Sequence, residues 1–264
     1  MSHERLSGAW NFRDVAETTG VLPGRLFRSS ELSNLDDAGR LILTEVGVTD
    51  VADLRSPAEL QRRGPGAVPE GVAVHNLPFP EVSHTHDGES PHESSWNKML
   101  TEPSDEDPAE AALRWMTGEY ERFPTLAGAR RAVHRVVTLL GQDRPVLVHC
   151  FAGKDRTGFA VAVACEAAGV DRDAILADYL RSNDAVARLR ARILETMRSR
   201  EGMTDEVVSF AASRLTDEVL GVREEYLVAA RRVLDETYGG LAGYLTAAGV
   251  TDDDVALLRA RLLG

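Results

Sequence analysis

The chain is expected to fold as an α/β protein, with a mostly parallel central sheet flanked by helices. Three observations predict this. Strand-like and helix-like runs alternate across the first two-thirds of the 264 residues, the pattern of a parallel sheet. At Asp53–Glu59 and at His149–Gly158 the chain passes straight from an apolar strand into a helix start. Beyond those junctions the pattern is helical throughout.

Taken in order, Pro23-Gly24 marks a turn and Leu26-Phe27 a short strand. Asn34 and Asp37 fit the N-cap and third position of a helix reaching about Glu45, with Gly47 as its stop. Thr49–Arg55 reads as a strand, and Ser56-Pro57-Ala58-Glu59 as a capping box with proline in the first turn. Val72–Leu77 is a third strand, closed by Pro78 and Pro80. Residues 81–106 are polar, rich in His and acids and without period, which predicts a mobile surface loop. Asp107-Pro108-Ala109-Glu110 opens a helix through Tyr120. A further helix to about Leu140 presents Ala129, Val133, Val136, Val137 and Leu140 on one face.

Pro145–Val148 is a buried strand, and Phe159–Cys165 a helix apolar on every side. Helices are then expected at Asp171–Leu180, from a cap at Ser182-Asn183-Asp184, at Met203–Leu215, at Val222–Tyr238, and after Thr251 and Asp254. Arg13 and Asp14 read as a surface ion pair. The whole chain, 1–264, is expected to form one domain.

The net charge of −12 disfavours nucleic acid and anionic membranes as bulk partners. Binding of an anion therefore has to rest on local donors. Two cysteines leave no disulfide framework. No apolar run approaches the about 20 residues of a membrane span, and Met1–Arg5 lacks a signal peptide's apolar region. The reading expects a cytoplasmic monomer without stable membrane insertion, with leaderless export left open.

The decamer His149-Cys150-Phe151-Ala152-Gly153-Lys154-Asp155-Arg156-Thr157-Gly158 carries the chemistry. Cys150 sits on a tight loop between the end of a strand and the start of a helix, six residues before Arg156. A loop over a helix N-terminus aims backbone N–H groups at one point and adds the positive end of the helix dipole. Such a nest, built from Phe151, Ala152, Gly153 and Lys154, holds a phosphate or a thiolate. Gly153 permits the inward turn. Arg156 grips two phosphoryl oxygens with a planar fork that lysine lacks. Thr157 offers a hydroxyl to the sulfur, and His149 a hydrogen bond that fixes the loop. C-x5-R is the spacing of the cysteine-dependent phosphatases. A nucleotide-binding P-loop is excluded, because Asp155 and Val148 stand where it needs Ser or Thr and Gly.

The decamer resembles that of the atypical bacterial tyrosine phosphatases of the mycobacterial protein tyrosine phosphatase B type. The similarity extends to Asn11-Phe12-Arg13-Asp14, Gly24–Ser29, Asp53–Glu59 and Asp178–Asn183, in the family's order. It implies a protein tyrosine phosphatase-like fold with a helical lid, here about 184–215. It also implies activity on phosphotyrosine, extending to phosphoserine, phosphothreonine and phosphoinositides, so the partner is a phosphorylated protein or phosphoinositide substrate. Phe151 stands where phosphoinositide 3-phosphatases carry a first lysine, which makes lipid activity the less secure part.

The expected mechanism has Cys150 as nucleophile, a phosphocysteine intermediate and no cofactor. No Trp-Pro-Asp acid loop is present. The family places the acid inside the phosphate loop, here Asp155. Asp53, at the end of another parallel strand, is the alternative acid or an orienter of Arg156. Two rival readings are a catalytically inactive phosphate-binding module and a metal-dependent phosphatase using His84, His86, His92 and Asp87. No helical His pair supports the second, so no metal is expected.

Overall fold

The computed structural model describes residues 6–79, 105–199 and 204–264. Five strands form one sheet: β1 (Arg13–Asp14), β2 (Leu26–Ser29), β3 (Asp50–Asp53), β4 (Ala73–Asn76) and β5 (Val146–His149), in the order β1-β2-β5-β3-β4. Only the β1–β2 pair is antiparallel. The parallel register places Ser29, His149, Asp53 and Asn76 side by side at the carboxyl edge. The functional loops leave from that edge.

Alternation along the strands divides the apolar residues between two cores. Leu26, Ala52, Val146 and Val148 face the larger core, and Phe27, Val51 and Leu147 the smaller. The smaller core is covered by α2 (Asp37–Glu45), which donates Leu43. α1 (Ala16–Thr19) is a single turn that the sequence did not signal, and α3 (Pro57–Arg63) follows β3.

On the other face stand α4 (Pro108–Arg122), α5 (Ala127–Gly141) and α6 (Asp155–Ala168). α6 buries Phe159, Ala160, Val161, Val163, Ala164, Cys165, Ala167 and Ala168, as a helix apolar all round must. The remaining helices are α7 (Arg172–Leu180), α8 (Val186–Arg198), α9 (Asp205–Arg214), α10 (Asp217–Leu220), α11 (Glu224–Tyr238), α12 (Leu241–Ala247) and α13 (Asp252–Leu262). No described helix is long and apolar enough to cross a membrane.

The elements depart from expectation in instructive places. Asp36, not Asn34, caps α2, its side chain accepting from the Gly39 amide. Residues 181–185 form a 3-10 turn leading into α8 rather than a side-chain cap. α12 follows Gly240 directly, and the sequence reading had only a break there. Arg13 and Asp14 are not a surface pair. Arg13 is buried against Asp178, while Asp14 accepts from the amides of Ala16 and Gly24. Residues 81–104 of the expected loop, with its histidines, lie outside the described residues, and no metal-holding cluster occurs among the described ones.

Candidate active site

The loop from Cys150 to Lys154 joins β5 to α6, and its shape is held from outside. Gly153 has φ +68, and a Cβ there would meet the Ser29 carbonyl oxygen at 2.1 Å, so only glycine fits. The Phe151 carbonyl accepts from the Glu31 amide at 3.0 Å. Asn11 Nδ2 donates to the carbonyls of Ala152 and Gly153 at 3.3 and 3.0 Å. Arg28 Nη2 donates to those of Gly153 and Lys154 at 2.8 and 3.3 Å. A trans peptide points its N–H away from its C=O. With the carbonyls drawn outward, the amides of Ala152, Gly153, Lys154 and Asp155 turn into the loop, forming an anion nest above the α6 N-terminus.

The clamps are themselves anchored. Asn11 holds φ +56, unusual outside glycine, and its Oδ1 accepts from Arg13 Nη1 at 2.5 Å. Arg13 Nε and Arg28 Nη1 donate to the two oxygens of Asp178 at 2.7 and 2.6 Å. All three charged groups are buried. Burial and the adjacent Arg28 lower the Arg13 guanidinium to about 10, still protonated at neutral pH. Burial alone would raise Asp178, but the two guanidiniums outweigh it and hold the carboxyl below the usual range.

Arg156, in the first turn of α6, is aimed by Glu59. Its Nη1 and Nη2 donate to the two Glu59 oxygens at 2.6 and 2.8 Å, and Nη1 also to the Leu54 carbonyl at 3.3 Å. Glu59 simultaneously closes the capping box of α3, accepting from the Ser56 amide at 2.7 Å. Burial opposes the Arg156 charge, and the Glu59 carboxylate more than restores it.

Asp53 reaches the same edge but is closed off. Arg55 Nε lies 2.9 and 3.1 Å from its two oxygens, and Arg55 Nη2 2.7 Å from Oδ2. Burial works against the Asp53 carboxylate, and its charged surroundings hold it ionised all the same. His149 stands 3.5 Å away, but burial keeps that imidazole neutral, so Arg55 is the effective counter-charge. Asp53 therefore does not orient Arg156, which Glu59 does, and has no oxygen disposed to donate a proton. His149 Nδ1 is 3.1 Å from the Cys150 carbonyl, which only accepts, so Nδ1 carries the ring proton. His149 thus hydrogen-bonds the Cys150 carbonyl at the start of the loop.

Cys150 is 2% exposed, and Thr157 Oγ1 is buried with no hydrogen-bond partner among the described residues. Lys154 Nζ donates to Asp155 Oδ1 at 2.9 Å and to the Gly221 carbonyl at 3.0 Å. Asp155 Oδ1 also accepts from Tyr120 at 3.0 Å. Phe151 lies under the Arg63 guanidinium, 4.0 Å from the ring centre, and edge-on to Trp10.

A nucleophile position, an aimed guanidinium and an inward nest of amides together define a phosphate-ester site. A model of the tyrosine phosphatase family matches residues 4–264. The chain belongs to that family. It is 57% identical to the triple specificity protein phosphatase PtpB of Mycobacterium tuberculosis, over 100% of both chains. It is 30% identical to a Cupriavidus necator protein assigned by name to the tyrosine-protein phosphatases, over 96% of this chain and 85% of that one. A tyrosine-protein phosphatase of Nostoc commune is 27% identical over 94% and 77%. The chain is thus a protein-tyrosine phosphatase, and its mixed five-stranded sheet between helices is the α/β architecture expected of one.

Several residues that shape this phosphatase's site escaped the sequence reading. Glu59 reads from the sequence as a cap, inside a segment that carries the family resemblance, and nothing in its spacing signals Arg156, 97 positions away, as a second partner. Asn11, Arg28 and Asp178 lay inside segments that carried the family resemblance, which was the available signal, but their task needs the fold to be seen. Tyr120 was read only as the end of a helix. Cys165 is buried in α6, and burial pushes its thiol well up, so it supplies no second reactive sulfur near neutral pH.

Proposed function

We propose that this phosphatase cleaves phosphotyrosine through Cys150, with phosphoserine, phosphothreonine and phosphoinositides as further substrates. The supporting observation is the outward clamping of the loop carbonyls by Asn11 and Arg28, which leaves the amides facing a phosphate bound over Cys150. The broad range follows the name of the 57% identical relative.

Cys150 Sγ attacks phosphorus and forms an S–P bond as the bond to the leaving oxygen breaks. Arg156 and the loop amides hold the equatorial oxygens. Asp155 gives its proton to the leaving oxygen. Water then attacks the phosphocysteine and gives one of its own protons to Asp155, as the S–P bond breaks to release inorganic phosphate and restore the thiolate. Thr157's unpaired hydroxyl donates to the departing sulfur. Lys154 leaves Asp155 for a phosphate oxygen when substrate enters. No cofactor or metal takes part in this scheme.

Residues 184–215 act as a lid. Arg192 of α8 is close enough to Glu31 and Arg63 for their charges to interact, which sets this helix against the Phe151 side of the site. Deleting the segment would also expose the core, because Leu189, Met197, Val208 and Ala211 belong to it. Arg192→Ala is the gentler test: peroxide should inactivate Cys150 faster, and an unchanged rate would remove the lid from the scheme.

The decisive experiment for the main reading is phosphate release from a phosphotyrosine peptide in the presence of a chelator. Activity should persist with the chelator and vanish in Cys150→Ser. A chelator-sensitive activity that survives the substitution would refute it.

A further inference from the structure

Asp155 holds its two carboxyl oxygens in different circumstances. Oδ1 accepts from both Tyr120 and Lys154 Nζ. Oδ2 makes no hydrogen bond to the described residues, and the side chain keeps 24% of its exposure. An acid that delivers a proton needs this asymmetry. Tyr120 holds one oxygen in place, also after Lys154 has moved to the phosphate, and the other oxygen is left open.

The pin is a chain rather than a single contact. Tyr120 comes from α4, and Tyr179 from α7 donates to its hydroxyl oxygen at 2.6 Å. A tyrosine hydroxyl has one proton, so Tyr120, which donates to Asp155, accepts from Tyr179. Both tyrosines are essentially inaccessible, at 0% and 1% exposure. Burial, with Asp155 nearby, keeps both phenols protonated, so each has a proton to donate along the chain. Each donor polarises the next, and the low-dielectric surroundings strengthen the chain.

The packing is specific to this purpose. A Cβ at Gly158 would come within 2.8 Å of two Tyr179 ring carbons, so the last glycine of the decamer is the hollow that seats that ring. Tyr120 is walled by Phe123 and Tyr226, at ring-centre distances of 4.9 and 5.4 Å. α7 thus supports the phosphate loop with two consecutive residues: Asp178 holds Arg13 and Arg28 behind it, and Tyr179 holds Tyr120 beside the acid.

We propose that Tyr120 and Tyr179 are positioning residues for proton donation, a buried hydroxyl relay that fixes Asp155 so that Oδ2 delivers the proton to the leaving oxygen. The inference rests on Asp155 being the donor. It predicts that losing a hydroxyl matters in proportion to how much the leaving group needs protonation.

The test is turnover of an aryl phosphate series, from 2,4-dinitrophenyl phosphate to phenyl phosphate, by wild type, Asp155→Asn, Tyr120→Phe and Tyr179→Phe, with thermal melting as a check on folding. Asp155→Asn should lose far more on phenyl phosphate than on the dinitrophenyl ester. Tyr120→Phe should lower kcat on phenyl phosphate about tenfold and on the dinitrophenyl ester less than about twofold, with KM little changed. Tyr179→Phe should follow the same trend with a smaller loss. If Asp155→Asn shows no leaving-group dependence, the assignment of the acid fails, and the relay with it. If Asp155→Asn shows it but Tyr120→Phe loses equally on every ester, or nothing on any, the relay is overturned and the acid stands. Should Tyr120→Phe fail to fold, Tyr179→Phe decides by the same criterion.

Discussion

Two strand-to-helix junctions lie side by side at the carboxyl edge of the sheet, and they have opposite characters. β3 passes into α3 through Asp53, Arg55, Ser56 and Glu59, and β5 into α6 through Cys150, Asp155 and Arg156. Asp53 and His149 are register partners, so the two start from the same level. At the first junction the acid and base are spent on each other: Arg55 engages both Asp53 oxygens, and neither side chain has measurable exposure. At the second, the thiol and one oxygen of the acid have no hydrogen-bond partner among the described residues. The first is a structural lock that aims the second, through the Glu59 grip on Arg156. Proximity to the edge therefore does not single out a proton donor, and the oxygen left unpaired is what favours the proposal of Asp155 over Asp53.

The contrast breaks most visibly at Arg156. Arg156→Lys keeps a positive charge but loses the fork that spans both Glu59 oxygens and two phosphoryl oxygens. A fall in kcat of about 10²–10³-fold is expected, by analogy with loss of one transition-state donor. Steady-state turnover of a phosphotyrosine peptide measures it; a loss below about tenfold would show that the amide nest does most of the stabilising.

The locked side should respond in stability instead. Asp53→Asn removes the charge facing Arg55, which then keeps Glu31 as its hydrogen-bonded carboxylate among the described residues. Breaking such a buried pair costs about 3–5 kcal/mol. Urea unfolding should register that loss, while the leaving-group dependence of the surviving activity stays as in wild type. A steeper dependence would return Asp53 to the role of acid.

Asp178 makes the same point behind the loop and adds a pH signature. Its folded value lies below its ordinary 3.8 because Arg28 and Arg13 outweigh burial. A depressed carboxyl contributes stability in full above its unfolded value and loses it as pH falls through the folded one. Wild type should therefore lose stability steeply below about pH 4. Asp178→Asn should be weaker at neutral pH and flatter across that acid window. Melting temperature against pH tests this, and parallel curves for the two proteins would contradict it.

How much of this was legible beforehand follows physical lines. The four parallel strands, the buried stretch of α6 and the capping box at Ser56 are local patterns of hydrophobicity and turn chemistry that the sequence signals, whereas the two-residue β1 becomes a strand only by pairing with β2. The proposed nucleophile, the arginine and the nest glycine lie within one decamer, so the sequence itself places them on one loop. What was hidden depends on distant pairing. Arg13 faces Asp178 across 165 positions, and its neighbour Asp14 offered a false partner. Asp53 reads from the sequence as an alternative acid or an orienter of Arg156, and the full grip of Arg55 on both its oxygens shows only once the strand end folds the side chains together. The Tyr179–Tyr120–Asp155 chain joins three helices, and no period or motif in one helix announces a partner on another.

The smallest expected effect sharpens the comparison most, because it separates the two tasks of one residue. Glu59→Gln retains an acceptor for the Ser56 amide, and glutamine serves in capping boxes. Stability should stay within about 0.5 kcal/mol of wild type, the range of mild substitutions. The charge opposite Arg156 is lost, and the bidentate clamp becomes a single neutral acceptor. Arg156 is then less well aimed, and kcat/KM for phosphotyrosine peptide should fall about tenfold, the effect of roughly one charged hydrogen bond. Thermal melting and turnover on the same preparation decide it. A fall in melting temperature matched to the loss of activity would mean that the first junction supports the second only by staying folded. An unchanged melting temperature with reduced turnover would mean that it supports the second by pointing one guanidinium.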